Sequence, residues 1–261
     1  MHRANGPLKT FLIMDLLLIG CLAGFYMHDH QINPLKQVQN WGRFLTDSAQ
    51  KAALAAGFSR PAQKVAPLEA PQISQNPELP RGCEVTALAM LLAQAGISVD
   101  KMTLANSIQK VSYFQNGYYG NPNEGFVGSM TDKAQPGFGV YHTPLVRLAQ
   151  SFLPHRIIDM TGQSFTDVER QLSRGKAVLI ITNITFKPLA PDLFQNWQTS
   201  SGKVKITYYE HTVLLTGYNK TQVFFNNPLG EKNQAADKAA FVQAWQQMGS
   251  QAISYGDMPV H

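Results

Sequence analysis

The feature that most constrains the fold is a cysteine placed where a loop gives way to a helix, at residues 80–92. Pro80 and Gly82 are typical of a loop, and the apolar residues after them recur at the spacing of a helix with one broad buried face. Cys83 is therefore predicted at a helix N-terminus, where unpaired N–H groups and the helix dipole favour an anion. A thiol in this position is expected to be more acidic and more nucleophilic than a free one. The alternative is that Cys83 is a small buried apolar residue, as free cysteines often are.

The composition indicates a globular protein of one sizeable domain with an appendage, or of two small domains. The chain has 261 residues, of which 44% are hydrophobic and 10% aromatic, which is enough for a substantial core. The formal charge of +5 is spread along the chain without basic blocks, so we expect no nucleic-acid partner. With only two cysteines, a disulfide-based scaffold is excluded.

The N-terminal segment at residues 11–27 is almost wholly apolar and follows Arg3 and Lys9. As a helix it reaches about 25 Å, just short of a hydrocarbon core, and Asp15 opposes insertion. Three interpretations stay open: an uncleaved anchor, a cleaved signal or lipoprotein signal ending at Cys21, and a core helix of a cytoplasmic protein. The first two place the rest of the chain outside the membrane.

We expect three regions along the chain: a signal or anchor segment at 1–27, a stalk or linker at 28–67, and a catalytic domain at 68–261. The stalk contains a possible helix at 38–58, and prolines at 61, 67 and 71 follow it. Such a spacing of prolines favours an extended, poorly packed connection.

Periodicity within the domain predicts helices first and an antiparallel sheet afterwards, which is an α+β fold. The predicted elements are helices from Cys83 to a cap at Gly96 and at 103–111, 145–152, 165–172 and 237–248, and strands at 177–182, 205–216 and 222–226. Between them, residues 113–139 are rich in glycine and aromatic side chains. This long irregular region is either a wall or lid facing the substrate, or a packed connector.

His211 lies on a predicted strand whose neighbours are apolar, and Asn226 and Asn227 follow the next strand. In a hairpin, one of these asparagines could lie beside His211 and orient its ring. A cysteine, a histidine and a carboxamide are the groups that thiol acyl transfer needs as nucleophile, base and orienting residue. The alternative is that His211 is a structural residue of the core.

Several short runs carry a resemblance to a known family. The run Glu-Leu-Pro-Arg-Gly-Cys-Glu at 78–84, together with those at 137–141, 211–213 and 227–228, resembles the bacterial peptidase family thirty-nine-like cysteine peptidases. The resemblance covers roughly residues 68–255 and implies a papain-like fold. It also implies that Cys83 is the nucleophile, His211 the base, and Gln75 the side chain of the oxyanion hole acting with the backbone N–H of Cys83. Asn227 falls where this family often has aspartate.

Other candidates receive structural interpretations. We expect His142 and His155 to be structural or exposed. Glu84 would raise the pKa of Cys83 if it pointed at the sulfur, but a glutamate in a first helical turn also suits the helix dipole. No spacing of Cys or His predicts a metal site, and no glycine-rich phosphate loop predicts a nucleotide or other cofactor.

The resulting hypothesis is an extracytoplasmic, membrane-tethered cysteine peptidase that acts on a peptide or protein substrate. Two alternatives remain: a catalytically inactive papain-like module that binds peptides, and a thiol acyltransferase in which an amine replaces water.

Overall fold

The computed structural model describes residues 61–257. The predicted anchor at 1–27 and most of the predicted stalk at 28–67 lie outside this range, so those predictions remain untested. Within the described range, no helix is both long enough and apolar enough to cross a membrane.

Five α-helices occur among the described residues, and most begin at side chains that cap them. They are α1 Cys83–Gln94, α2 Lys101–Ser107, α3 His142–Phe152, α4 Phe165–Ser173 and α5 Lys238–Gln247. Asp100 and Asp237 accept backbone N–H groups at the starts of α2 and α5, and Ser164 forms a capping box with Asp167 at the start of α4. These caps satisfy donors that a helix leaves unpaired at its first turn.

Twelve strands form three sheets in the same range. They are β1 Lys110–Val111, β2 Phe114–Gln115, β3 Tyr118–Tyr119, β4 Phe126–Val127, β5 Ile157–Asp159, β6 Val178–Asn183, β7 Gln195–Thr199, β8 Gly202–Ile206, β9 Glu210–Tyr218, β10 Gln222–Asn226, β11 Gln234–Asp237 and β12 Ala252–Tyr255. The main sheet has the order β11-β10-β9-β6-β12-β5, and all its neighbours are antiparallel. The smaller sheets are β2-β3-β7-β8 and the pair β1-β4.

The main sheet is covered by helices on both faces. All six residues of β6 are buried, and because successive side chains of a strand point to opposite faces, they divide between two apolar clusters. Leu179 and Ile181 pack in the cluster that contains α1 and α3, whereas Val178 and Ile180 pack in the one that contains α4 and α5. The fold is thus α+β, as predicted.

Helix α1 lies in the centre of the domain. Its first ten residues, from Cys83 to Leu92, are all buried, which is the pattern of a helix surrounded by protein. It packs against β9 and β6. The helix ends before Gly96, whose φ of 89° is a backbone angle that favours glycine. The start of α1 is therefore held against the strand that carries His211.

Some predicted elements were wrong in extent. The helix expected at 103–111 ends at Ser107, and Lys110–Val111 forms β1 instead. The strand expected at 205–216 is two strands, because a turn at 207–209 separates β8 from β9. Residues 113–139 contain three short strands, β2 to β4, whose pairing with other segments was not visible as a periodic pattern.

Candidate active site

Cys83 is the first residue of α1, and the loop before it is tightly fixed. A side chain at Gly82 would place its Cβ 2.6 Å from Cβ of Leu79, so the tight approach of this loop needs glycine. The Arg81 guanidinium donates to the backbone carbonyls of residues 129, 132 and 133. These contacts fix the loop that leads into Cys83, of which only 6% is exposed.

His211 and Asn227 meet through the pairing of β9 and β10. The strands pair up to Asn226 opposite Leu214, so Asn227 follows at the end of β10 and its side chain reaches the ring of His211. The distance from His211 Nε2 to Asn227 Oδ1 is 2.8 Å. Asn227 is held in turn by the amide of Gln234, 2.8 Å from its Nδ2. Of the two asparagines, Asn227 therefore makes the contact, whereas the Asn226 side-chain amide donates to the carbonyls of residues 70 and 71.

Gln75 is buried beside the same loop. Its Nε2 donates to the Leu79 carbonyl at 3.1 Å, and its Oε1 has no hydrogen-bond partner among the described residues. Its backbone N–H donates to the Pro228 carbonyl at 3.0 Å, which links it to the segment after Asn227. A primary amide has two N–H donors, so the bond to Leu79 leaves one for another acceptor.

One cavity of about 190 Å³ brings Gln75, Cys83 and His211 together. Asn227 does not line it and lies behind the histidine. Three apolar side chains that line the cavity are largely exposed: Ile184 at 47%, Tyr208 at 53% and Leu229 at 44%. The small cavity is thus lined both by the polar candidate residues and by apolar side chains.

The region at 113–139 contributes both packing and cavity wall. Tyr119 stacks on Trp197 with ring centroids 4.5 Å apart, and Phe138 packs against Trp197 and Tyr208. Gly137 and Phe138, at the end of the region, line the cavity. Its aromatic residues therefore support the wall of the site through their packing.

The electrostatics around Cys83 oppose the sequence expectation of an acidic thiol. Burial raises the pKa of Cys83 well above its ordinary value, and the charges of Glu84 and Glu210 raise it further. The distances from Sγ to Oε2 are 3.4 Å for Glu84 and 4.0 Å for Glu210. A hydrogen bond from the Thr212 backbone acts in the other direction. The helix N-terminus favours the thiolate, but burial and two carboxyl groups outweigh it.

His211 is also shifted toward its neutral form. Burial lowers its pKa to about 4, although the hydrogen bond to Asn227 acts in the opposite direction. Neutral imidazole can accept a proton on one nitrogen while the other donates. With Nε2 directed to Asn227, Nδ1 is the nitrogen left for proton exchange.

Glu210 is the residue of the site that the sequence reasoning missed. It precedes His211 at the start of β9, and its neighbours in the sequence give no sign of the groups that it meets. The structure instead brings it to Glu84, far away in the sequence, and one ligand atom from each of Cys83, Glu84 and Glu210 lies within 4.8 Å of the others. The thiol has one hydrogen and lies within reach of both carboxyl groups, and we treat this trio as a titrating cluster.

The other two histidines considered lie elsewhere. His142 Nδ1 is 2.9 Å from Asp159 Oδ2, and His155 is exposed with a φ of 61°. Neither lines the cavity that contains Cys83, which agrees with the structural interpretation given to both.

Comparison with known proteins identifies the family. An uncharacterized protein of Bacillus subtilis, YvpB, is 46% identical over 178 residues, which cover 68% of this chain and 70% of that protein. A crystal structure of a protein from Bacillus anthracis, described as a C39-like peptidase, is 48% identical with a TM-score of 0.75 and covers 76% of this chain and all of that one. The sequence model of the Peptidase_C39 like family matches residues 67–253, and the chain therefore belongs to this family.

Proposed function

We propose that the chain is a cysteine peptidase of the papain-like type, which hydrolyses peptide or amide bonds with Cys83 as its nucleophile. The observation that carries the proposal is that Gln75 and Cys83, from one segment of the chain, line one cavity with His211, from a distant part of the sequence. Asn227 is hydrogen-bonded to the far side of the histidine. Family membership supports the peptidase class.

In the proposed reaction, His211 Nδ1 accepts the thiol proton and the Cys83 sulfur attacks the substrate carbonyl carbon. The negative charge that develops on the carbonyl oxygen is stabilised by the free N–H of Gln75 and by the backbone N–H of Cys83, which has no partner within its helix. His211 then returns the proton to the leaving amine, and a thioester forms on Cys83. Water hydrolyses the thioester, with His211 accepting a proton again.

The substrate is proposed to be a peptide with an apolar side chain near the scissile bond, because Ile184, Tyr208 and Leu229 expose apolar surface at the cavity.

We further propose that the chain is tethered to a membrane by residues 11–27 and faces outward, supported by the apolar sequence after Arg3 and Lys9. Full-length protein should then sediment with membranes and remain accessible to protease added outside the cells. Recovery in the soluble fraction without processing would contradict the tether.

The peptidase proposal is tested by incubating the full-length chain with a diverse peptide library and identifying paired products by mass spectrometry. We expect cleavage that stops after iodoacetamide modifies Cys83. No cleavage, together with retained peptide binding, would support the inactive binding module. Products joined to an added amine, in amounts that rise with its concentration, would support the acyltransferase.

A further inference from the structure

Two carboxyl groups lie beside the Cys83 thiol without a cationic partner. Glu84 is fully buried and Glu210 is partly buried, and neither forms an ion pair with lysine or arginine in the described part of the chain. Arg81 lines the same cavity, but its guanidinium donates to three backbone carbonyls. The negative charges near the sulfur are therefore not neutralised by a neighbouring side chain.

The structure holds both carboxyl groups in place. Glu84 Oε1 accepts the Val140 N–H at 2.8 Å, and Glu210 Oε1 accepts the Thr212 hydroxyl at 3.1 Å. In each case the other oxygen, Oε2, contacts the sulfur of Cys83. Both glutamates thus direct their Oε2 atoms toward the sulfur of Cys83.

Gly139 brings the backbone against the same pair. A Cβ at this position would lie 2.5 Å from Glu84 Oε1 and 3.1 Å from Glu210 Oε2. Only a residue without a side chain permits this approach, which places main chain where water would otherwise solvate the carboxyl groups. Poor solvation makes ionisation of both groups costly.

We propose that Glu84 and Glu210 keep one proton between them at neutral pH, and that the charge of this pair controls how readily the Cys83 thiol ionises. They are positioning residues that act on the nucleophile. The importance of their effect on thiol ionisation rests on the proposed peptidase function. When two carboxyl groups share a poorly solvated site, ionisation of the first opposes ionisation of the second. The same repulsion acts on a thiolate formed beside them.

The expected consequence is a coupled titration. As the pH rises, the pair loses its proton and its growing charge makes the thiol less acidic, so the thiolate population rises less steeply than for an independent thiol. The other titratable or charged groups around the pair are His211, Tyr141, Tyr208 and Arg81. The shifts agree with this arrangement, because burial raises the pKa of Glu84 to about 7, and burial together with the Glu84 charge raises that of Glu210.

The test is the pH profile of iodoacetamide alkylation, measured on the full-length chain with EDTA present. The modified Cys83 peptide is quantified by mass spectrometry, because Cys21 is also a thiol. The variants are Glu84→Gln, Glu210→Gln and the double substitution. Asp192→Asn, at an exposed position, is the control that removes the same charge elsewhere. Circular dichroism verifies the fold of each protein.

For an independent thiol below its pKa, the rate rises about tenfold per pH unit. We expect the alkylation rates of wild type and Asp192→Asn to rise less steeply than this above pH 7. The double variant should recover the full slope and react roughly tenfold faster at pH 8, with the single variants between them. If the double variant does not fold, the partly buried Glu210→Gln alone must still steepen the profile. Full slope in wild type, with profiles of the variants superimposed on it, would overturn the proposal.

This experiment needs no peptide substrate. If the shallow wild-type profile steepens in the double variant but no peptide is cleaved, the proposed function alone is refuted. If peptides are cleaved but all profiles have the full slope, the role of the glutamate pair alone is refuted.

Discussion

Substitution of Gln75 by alanine separates a structural from a catalytic contribution. The side chain is 1% exposed and makes one hydrogen bond, from Nε2 to the Leu79 carbonyl. That carbonyl also accepts the Gly82 N–H at 2.9 Å, so it is not left unpaired. We expect the free energy of unfolding to fall by about 1–3 kcal/mol from the lost bond and lost packing.

The expected loss of activity is much larger than this change in stability implies. Removing one donor from an oxyanion hole lowers kcat by about 10²–10³, and Gln75→Ala removes the side-chain donor proposed here. The assay is turnover of a peptide that the wild-type chain cleaves, at a temperature where the variant is fully folded. KM should change little, because the donor acts on charge that develops after binding.

Gln72 provides a control of the same residue type, because its Nε2 donates to the backbone carbonyls of Asn227 at 2.7 Å and Gly230 at 3.2 Å. Its Oε1 also lacks a partner among the described residues. It does not line the cavity. Gln72→Ala should therefore lose a similar amount of stability and keep most of its kcat. Equal kcat values for the Gln75 and Gln72 variants would refute the oxyanion-hole assignment.

Three further predictions follow from the site. Gly139→Ala should destabilise the fold by about 1–3 kcal/mol in urea unfolding, because its Cβ would overlap the Glu84 carboxylate; unchanged stability would contradict the close approach. His211→Ala should lower kcat by about 10²–10⁴ in the peptide assay, whereas alanine at the exposed His155 should not. Burial raises the pKa of Glu84 from 4.5 to about 7, so its ionisation penalises the folded state as the pH rises through this window. Glu84→Gln should therefore gain thermal stability relative to wild type as the pH rises from 4.5 to about 7, and a difference independent of pH would contradict the shift.

Much of the fold could be predicted from local patterns. The start of α1 at Cys83, the helix at 165–173 with its Ser164 cap, and the buried strand at 178–183 each carry a signal within a few residues. By contrast, β1 and β4 are two-residue strands that pair only with each other among the described strands. Such short elements have no periodicity to detect. Residues 110–111 were therefore assigned to a helix.

The cavity could be predicted only in part. The resemblance supplied Gln75, Cys83, His211 and Asn227, and the structure brings the first three to one cavity and the fourth to the histidine. The acidity of the thiol was predicted with the wrong direction, because the helix terminus is a local feature while the approach of Glu210 depends on how β9 packs against α1. Long-range electrostatics of this kind become visible only once the chain is folded.

The measurement that tests the central claim most directly is peptide turnover by Cys83→Ala beside Cys21→Ala, the two substitutions that each remove one of the two cysteines of the chain. Both full-length proteins are compared with wild type at equal folded concentration. We predict that turnover is lost in Cys83→Ala and is close to wild type in Cys21→Ala. Wild-type turnover by folded Cys83→Ala would contradict the assignment of Cys83 as the nucleophile.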